Sequence, residues 1–125
     1  MKLKKQRLGE NHPSTANTLN NLAEFYLEMR RYDEAEPIYK QALELKKQRL
    51  GENHPSTASS LNGLANLYNN QGKYDEAEPL FIQAVEIAER VLGESHPYTV
   101  KYRGDLEDFR RKQESVNSTM TVNSV

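Results

Sequence analysis

Leu8-Gly9-Glu10-Asn11-His12-Pro13-Ser14-Thr15-Ala16 decides the fold, because it returns unchanged as residues 50–58. A relaxed copy, Leu-Gly-Glu-Ser-His-Pro-Tyr-Thr-Val, occupies residues 92–100. Both intervals (50 − 8 and 92 − 50) are 42 residues. A fixed period of this size means one supersecondary unit stacked on copies of itself. The identity extends backwards, since residues 3–16 repeat as residues 45–58. In the second copy this stretch closes one helix and opens the next. Residues 1–8 are therefore expected to be the end of a helix whose beginning lies outside the chain.

The turn has its own chemistry. Gly9, Gly51 and Gly93 follow leucine and basic residues, where a left-handed helix cap suits glycine. Pro13, Pro55 and Pro97 fit the first helical position, which has no use for an N–H. His12, His54 and His96 then fall at the N-cap, held out of the helical region by the proline that follows.

Working outward, Leu19, Leu22, Ala23 and Tyr26 recur at i, i+3, i+4, i+7, one apolar stripe of an amphipathic helix from Pro13 to about Met29. Leu61, Leu64, Ala65 and Tyr68 repeat it. After a short break, Asp-Glu-Ala-Glu-Pro at residues 33–37 and 75–79 opens a second helix, with acids where the helix dipole favours them and a proline early enough to cost little. Its stripe is Ala35, Ile38, Tyr39 and Ala42, then Ala77, Leu80, Phe81 and Ala84. Lys46, Lys47 and Arg49 complement the dipole at its C-terminal end.

These two stripes, with Tyr32, Gly72 and Tyr74 at the breaks, resemble the tetratricopeptide repeat pattern. The ordinary repeat has 34 residues, so each unit here carries eight more (42 − 34), around the link between units. That longer variety looks like the repeats of kinesin light chains. The resemblance implies an all-α fold, a right-handed α-solenoid of antiparallel helix pairs. It divides the chain into a half-repeat at residues 1–8, repeats at 13–49 and 55–91, and a capping helix at 97–113, together an array over 1–113. In that last helix Tyr102, Leu106 and Phe109 keep an apolar face, whereas Arg103, Glu107 and Arg110 replace the second stripe. Gly104 weakens it by about 1 kcal/mol relative to alanine. Residues 114–125 have no helical period and are expected to be disordered.

Composition excludes several functions. The formal charge of −1 and pI near 6.3 leave no basic footprint for nucleic acid or an anionic membrane. Apolar runs are too short to span a bilayer, and the Met1-Lys-Leu-Lys-Lys start lacks a secretory signal. No cysteine is present for disulfides or thiolate metal sites. A cytoplasmic location follows as the expectation. The three histidines are spaced one per repeat, and packed helices stand about 8–10 Å apart against zinc–nitrogen bonds near 2 Å, so they are not expected to converge on a metal. Glu34/Glu36 and Glu76/Glu78 are first-turn acids with no nucleophile beside them. No enzyme, cofactor or metal site is expected.

What remains is a surface. The resemblance implies that the first helix of each repeat lines a concave groove, on positions the packing stripes leave free. Those are Asn17, Asn20, Glu24, Leu27 and Glu28, then Ser59, Asn62, Asn66, Asn69 and Asn70, then Lys101, Asp105, Asp108 and Arg111. Asparagine is a poor helix former, so four on one short helix need another reason. An amide can donate to and accept from an extended peptide backbone of any sequence. The expected function is a protein-interaction scaffold binding a peptide or partner segment in this groove. A self-associating solenoid is the second reading, a homodimer through the apolar Leu3, Leu8, Leu22 and Phe25 edge. A sensor or scaffold segment of a larger signalling protein is the third.

Overall fold

The computed structural model describes the backbone of residues 13–124 and the side chains of residues 15–115. Five helices follow in order: α1 (Pro13–Glu28), α2 (Tyr32–Leu50), α3 (Pro55–Asn70), α4 (Tyr74–Leu92) and α5 (Pro97–Ser124). The most extensive contacts join α1 to α2 and α3 to α4, the two hairpins. Next come α2 with α3 and α4 with α5, and α1 also touches α3. Each hairpin thus stacks on the one before, and α1 and α3 stand side by side. Among the described residues there is no strand, and no helix is long and apolar enough to cross a membrane. The half-repeat expected at residues 1–8, with Leu3 and Leu8, lies outside the described residues.

The hairpin bends have a sequence cause. Gly72 adopts φ 82°, and its counterpart one repeat earlier, Arg30, adopts φ 63°. Both place the chain on the left-handed side, which glycine enters freely and arginine does not. The second helices start at Tyr32 and Tyr74, one residue before the expected Asp33 and Asp75. Pro37 and Pro79 therefore sit inside the helices, past the first turn. Each leaves one carbonyl, that of Asp33 or Asp75, without its helical donor. Both aspartates are exposed, so water can take that role.

At the links between units, His54 is extended (φ −89°, ψ 144°) and its Nδ1 accepts from the Ser56 N–H at 3.0 Å. His96 Nδ1 accepts from the Tyr98 N–H at 3.1 Å. The histidines are caps, as the proline spacing indicates; His12 lies outside the described residues. Gly51 and Gly93 have positive φ (95° and 94°) but ψ near 160°, so they extend the chain rather than adopt the left-handed helical cap expected of them. That extension accommodates the longer link. Thr57 closes it by donating to the Gly51 carbonyl at 2.8 Å.

The core runs along the stack. Ala23, Ala35, Ala42, Ala58, Ala65, Ala77, Ala84 and Ala88 are fully buried. Their small side chains let the helices approach, and Tyr39, Leu61, Leu67, Tyr68 and Phe81 fill the space between. Helix α5 adds Tyr102, Leu106 and Phe109, with the Phe109 ring 5.2 Å from Phe81 and 6.1 Å from Tyr74. The polar residues of its other stripe reach back to α4: Arg103 pairs with Glu89 at 2.8 Å and Arg110 with Glu78 at 3.2 Å. Both pairs are open to solvent, so they orient α5 more than they stabilise it. The helix continues past Gln113 to Ser124, where the sequence pattern suggests disorder. Residues 105–124 contain no glycine or proline to stop it.

Candidate functional site

An open groove of about 710 Å³ lies between α1, α3 and the start of α5. From α1 come Asn17, Asn20, Asn21, Glu24, Leu27 and Glu28. From α3 come Ser59, Asn62, Gly63 and Asn66, and from α5 Tyr98, Lys101 and Tyr102. The second helix of the first hairpin forms part of the floor through Tyr39 and Lys46. Three successive first helices supply the walls because their apolar stripes turn towards the second helices and leave this side polar.

The groove brings together Asn17, Asn20, Glu24, Leu27, Glu28, Ser59, Asn62, Asn66 and Lys101 among the residues expected from sequence. It does not bring in Asn69, Asn70, Asp105, Asp108 or Arg111. Asn69 and Asn70 occupy the C-terminal turn of α3 beyond the groove, and Arg111 is exposed on α5, donating to Asp108 at 2.9 Å. Asn20 has a structural bond as well: it is only 5% exposed, and its Oδ1 accepts from the Ser60 hydroxyl at 3.0 Å. That bond ties α1 to α3.

Three residues of the floor stand outside the sequence expectation. Tyr39 reads as apolar stripe and Lys46 as a complement to the helix dipole. The third, Gly63, carries no expectation. The Tyr39 ring lies against Gly63, where a Cβ would stand 2.5 Å from Cε1. Lys46 is 2% exposed and its Nζ donates to the Ser56 carbonyl at 3.1 Å. Signals existed for both: a glycine in mid-helix marks a close approach, and Lys46 falls one repeat before Ala88, a core position.

The floor carries unfinished hydrogen bonding. The Tyr39 hydroxyl and the Asn62 side-chain N–H are buried without a partner among the described residues. Asn62 Oδ1 is engaged, accepting from Asn66 Nδ2 at 3.3 Å. Burial pushes the Tyr39 phenol well above its ordinary pKa, and the carboxylates of Glu24 and Glu28 add to the effect. Burial lowers the Lys46 ammonium, with Glu24 opposing. The Tyr102 phenol is raised, by burial first, and Glu24 contributes there too. The Glu24 carboxylate therefore acts on three residues of two other groove elements, α2 and α5. Among the described residues, no group of three or more His, Asp or Glu side chains is placed to hold a metal ion.

Stacked helical hairpins with one shared polar groove define a helical-repeat protein. Two family profiles match the chain, both described as tetratricopeptide repeat: one over residues 57–98, the other over residues 1–48 and again over 14–71. The chain belongs to the tetratricopeptide repeat family. A comparison with curated proteins gives no match. Among solved structures it is similar to BtubC (BKLC) from P. vanneervenii, at 23% identity and TM-score 0.76, over 85% of this chain and 42% of that one. At that identity the likeness is one of fold. It is also similar to a putative kinesin light chain from Podosopora anserina with nearly identical TPR-like repeats, at 27% identity and TM-score 0.74, over 86% of this chain and 51% of that one. The chain thus spans about half the length of these structures or less. Repeats of this family generally mediate protein–protein interaction.

Proposed function

We propose that the chain binds an extended peptide or partner segment in the groove between α1, α3 and α5. The observation that carries this reading is the pair of buried, unpartnered groups in the floor, the Tyr39 hydroxyl and the Asn62 N–H. Buried polar groups are nearly always bonded, and an orphan costs about 1–3 kcal/mol. A peptide backbone laid in the groove offers carbonyl oxygens for the Asn62 amide, and the neighbouring Asn17 and Asn66 amides can serve further units of the same backbone. Selection of a phage-displayed random-peptide library on the chain tests it. Binders are expected to lose at least about tenfold in affinity with Asn62→Ala plus Asn66→Ala, and to keep it with Asn69→Ala, which is outside the groove. Binders insensitive to the double substitution sink the groove reading.

A second reading is self-association. Leu22 and Phe25 on α1 and Met29 just past its end are 41%, 53% and 49% exposed, an apolar surface that a second copy would cover by two-fold pairing. Light scattering over a concentration series decides it: a mass fixed at one chain removes the dimer.

A further inference from the structure

Resting on the groove reading, we propose that the occupant carries a basic side chain, arginine in preference to lysine, seated against Glu24 and Glu28. Both glutamates are exposed on the groove side of α1, one turn apart, and neither has a hydrogen-bonded or ion-paired partner among the described residues. The other charges of the lining are already engaged. Lys101 faces Asp105 at 3.6 Å, and Lys46 lies beneath the floor on the Ser56 carbonyl. An anionic ligand would meet two uncompensated carboxylates in the groove, while the Lys46 ammonium is already engaged by a carbonyl.

The floor beside the glutamates is independently incomplete. Tyr39 is fully buried, lines the groove, and has a hydroxyl without a partner; Glu24 and Glu28 are both near enough to act on its ionisation. A guanidinium has five N–H donors in a planar fork. It can bridge the two carboxylates with charge-assisted bonds and leave a donor for the phenolic oxygen. Arginine's planar fork meets a pair of carboxylates better than lysine's point charge does. The Asn62 N–H is then free to hold the backbone carbonyl of the same segment.

The test uses the full chain and degenerate, end-blocked, fluorescein-labelled peptide pools of about twelve residues, a length that extends well beyond one helix diameter. The pools are identical except for one central position, fixed as Arg, Lys, Gln or Glu. Fluorescence polarisation is expected to rank them Arg, Lys, Gln, Glu, with about tenfold between Arg and Gln that narrows as salt rises. Glu24→Gln with Glu28→Gln should bring the Arg pool down to the Gln pool, and Glu24→Lys with Glu28→Lys should move the preference to the Glu pool. A Gln or Glu pool that binds as well as the Arg pool, while Asn62→Ala with Asn66→Ala still weakens binding, overturns the basic ligand and leaves the groove. Pools that do not bind, or whose binding ignores the asparagine substitutions, overturn the groove and the basic ligand together.

Discussion

The Tyr39 ring on α2 and the Cα of Gly63 on α3 are in direct contact across the two hairpins, so close that a Cβ at Gly63 would stand 2.5 Å from Cε1 and 3.0 Å from Cζ. Two effects oppose each other in Gly63→Ala. Helix propensity favours alanine by about 1 kcal/mol, while overpacking a closed core costs about 1–3 kcal/mol. Tyr39 is fully buried and its ring is what that Cβ would meet, so overpacking should prevail and the variant should lose up to about 2 kcal/mol. Gly104→Ala is the control, because nothing stands within 4 Å of a Cβ there, and it should gain up to about 1 kcal/mol. Urea unfolding of the two variants compares them directly; equal shifts would show that the Tyr39 contact has no energetic weight.

The bond from Ser60 to Asn20 makes a second, separable prediction. It joins the first helices of neighbouring units at 3.0 Å, with the serine fully buried and the asparagine 5% exposed. Asn20→Ala should cost about 1–2 kcal/mol, at the low side of a buried polar loss because a serine hydroxyl can turn to a carbonyl of its own helix. A double-mutant cycle with Ser60→Ala should return a coupling of about 0.5–1.5 kcal/mol. A coupling of zero would mean the two helices are held by apolar packing alone.

The architecture could be read from the sequence because two complete units say the same thing. The 42-residue period, the alanine stripes and the Pro-after-His turns all agree, and each has one physical meaning. The groove was less legible. Asn20 and Asn69 carry the same amide as Asn62, yet Asn20 is drawn into a bond to Ser60 and Asn69 lies past the end of the cavity. Helical spacing gives a direction around the axis; it does not say where neighbouring helices close over a position. The floor residues Tyr39 and Lys46 were hidden for a related reason. They belong to the second helix, whose stripe reads as core; Tyr39 borders the groove where Gly63 has no side chain, and Lys46 where it reaches the Ser56 carbonyl.

Stability at high pH should follow the buried phenols. Tyr39, Tyr68 and Tyr102 are all raised above the ordinary 10.0, with burial the leading cause in each. The unfolded chain therefore releases phenolic protons from about pH 10.0 while the fold still holds them. Their contribution is fully present below 10.0 and is lost as pH rises beyond it. Lys46 works the other way. Burial holds its ammonium below 10.5, so in the window under 10.5 the unfolded chain binds more protons and stability rises with pH. One lysine opposes three tyrosines, and its window closes at 10.5 while theirs continues. Thermal melts should hold or rise slightly on approach to pH 10.0 and fall beyond it. Tyr39→Phe should make the fall shallower, and Lys46→Met should remove the rise. A melting temperature that climbs steadily through the alkaline range would contradict the assignment of these phenols to the core.

The hairpin bends offer a clean gain of stability. Arg30 and Gly72 occupy the same place in successive units, and both have positive φ, 63° and 82°. Their amides make the same turn, Arg30 donating to the Leu27 carbonyl at 2.9 Å and Gly72 to that of Asn69 at 3.1 Å. For an L-residue the left-handed region costs about 1–2 kcal/mol, which glycine avoids. Glycine loses more backbone entropy on folding, an opposing cost of about 0.5–1 kcal/mol. Arg30 is exposed and makes no side-chain hydrogen bond or ion pair among the described residues, so little else is given up. Arg30→Gly should therefore raise stability by about 0.5–1 kcal/mol, and Gly72→Ala should lower it by a similar or larger amount. Differential scanning calorimetry of the two variants gives both signs in one series. If Arg30→Gly melts below the parent, the strain at Arg30 is smaller than the entropy it saves, and the bend is set by packing of the hairpin.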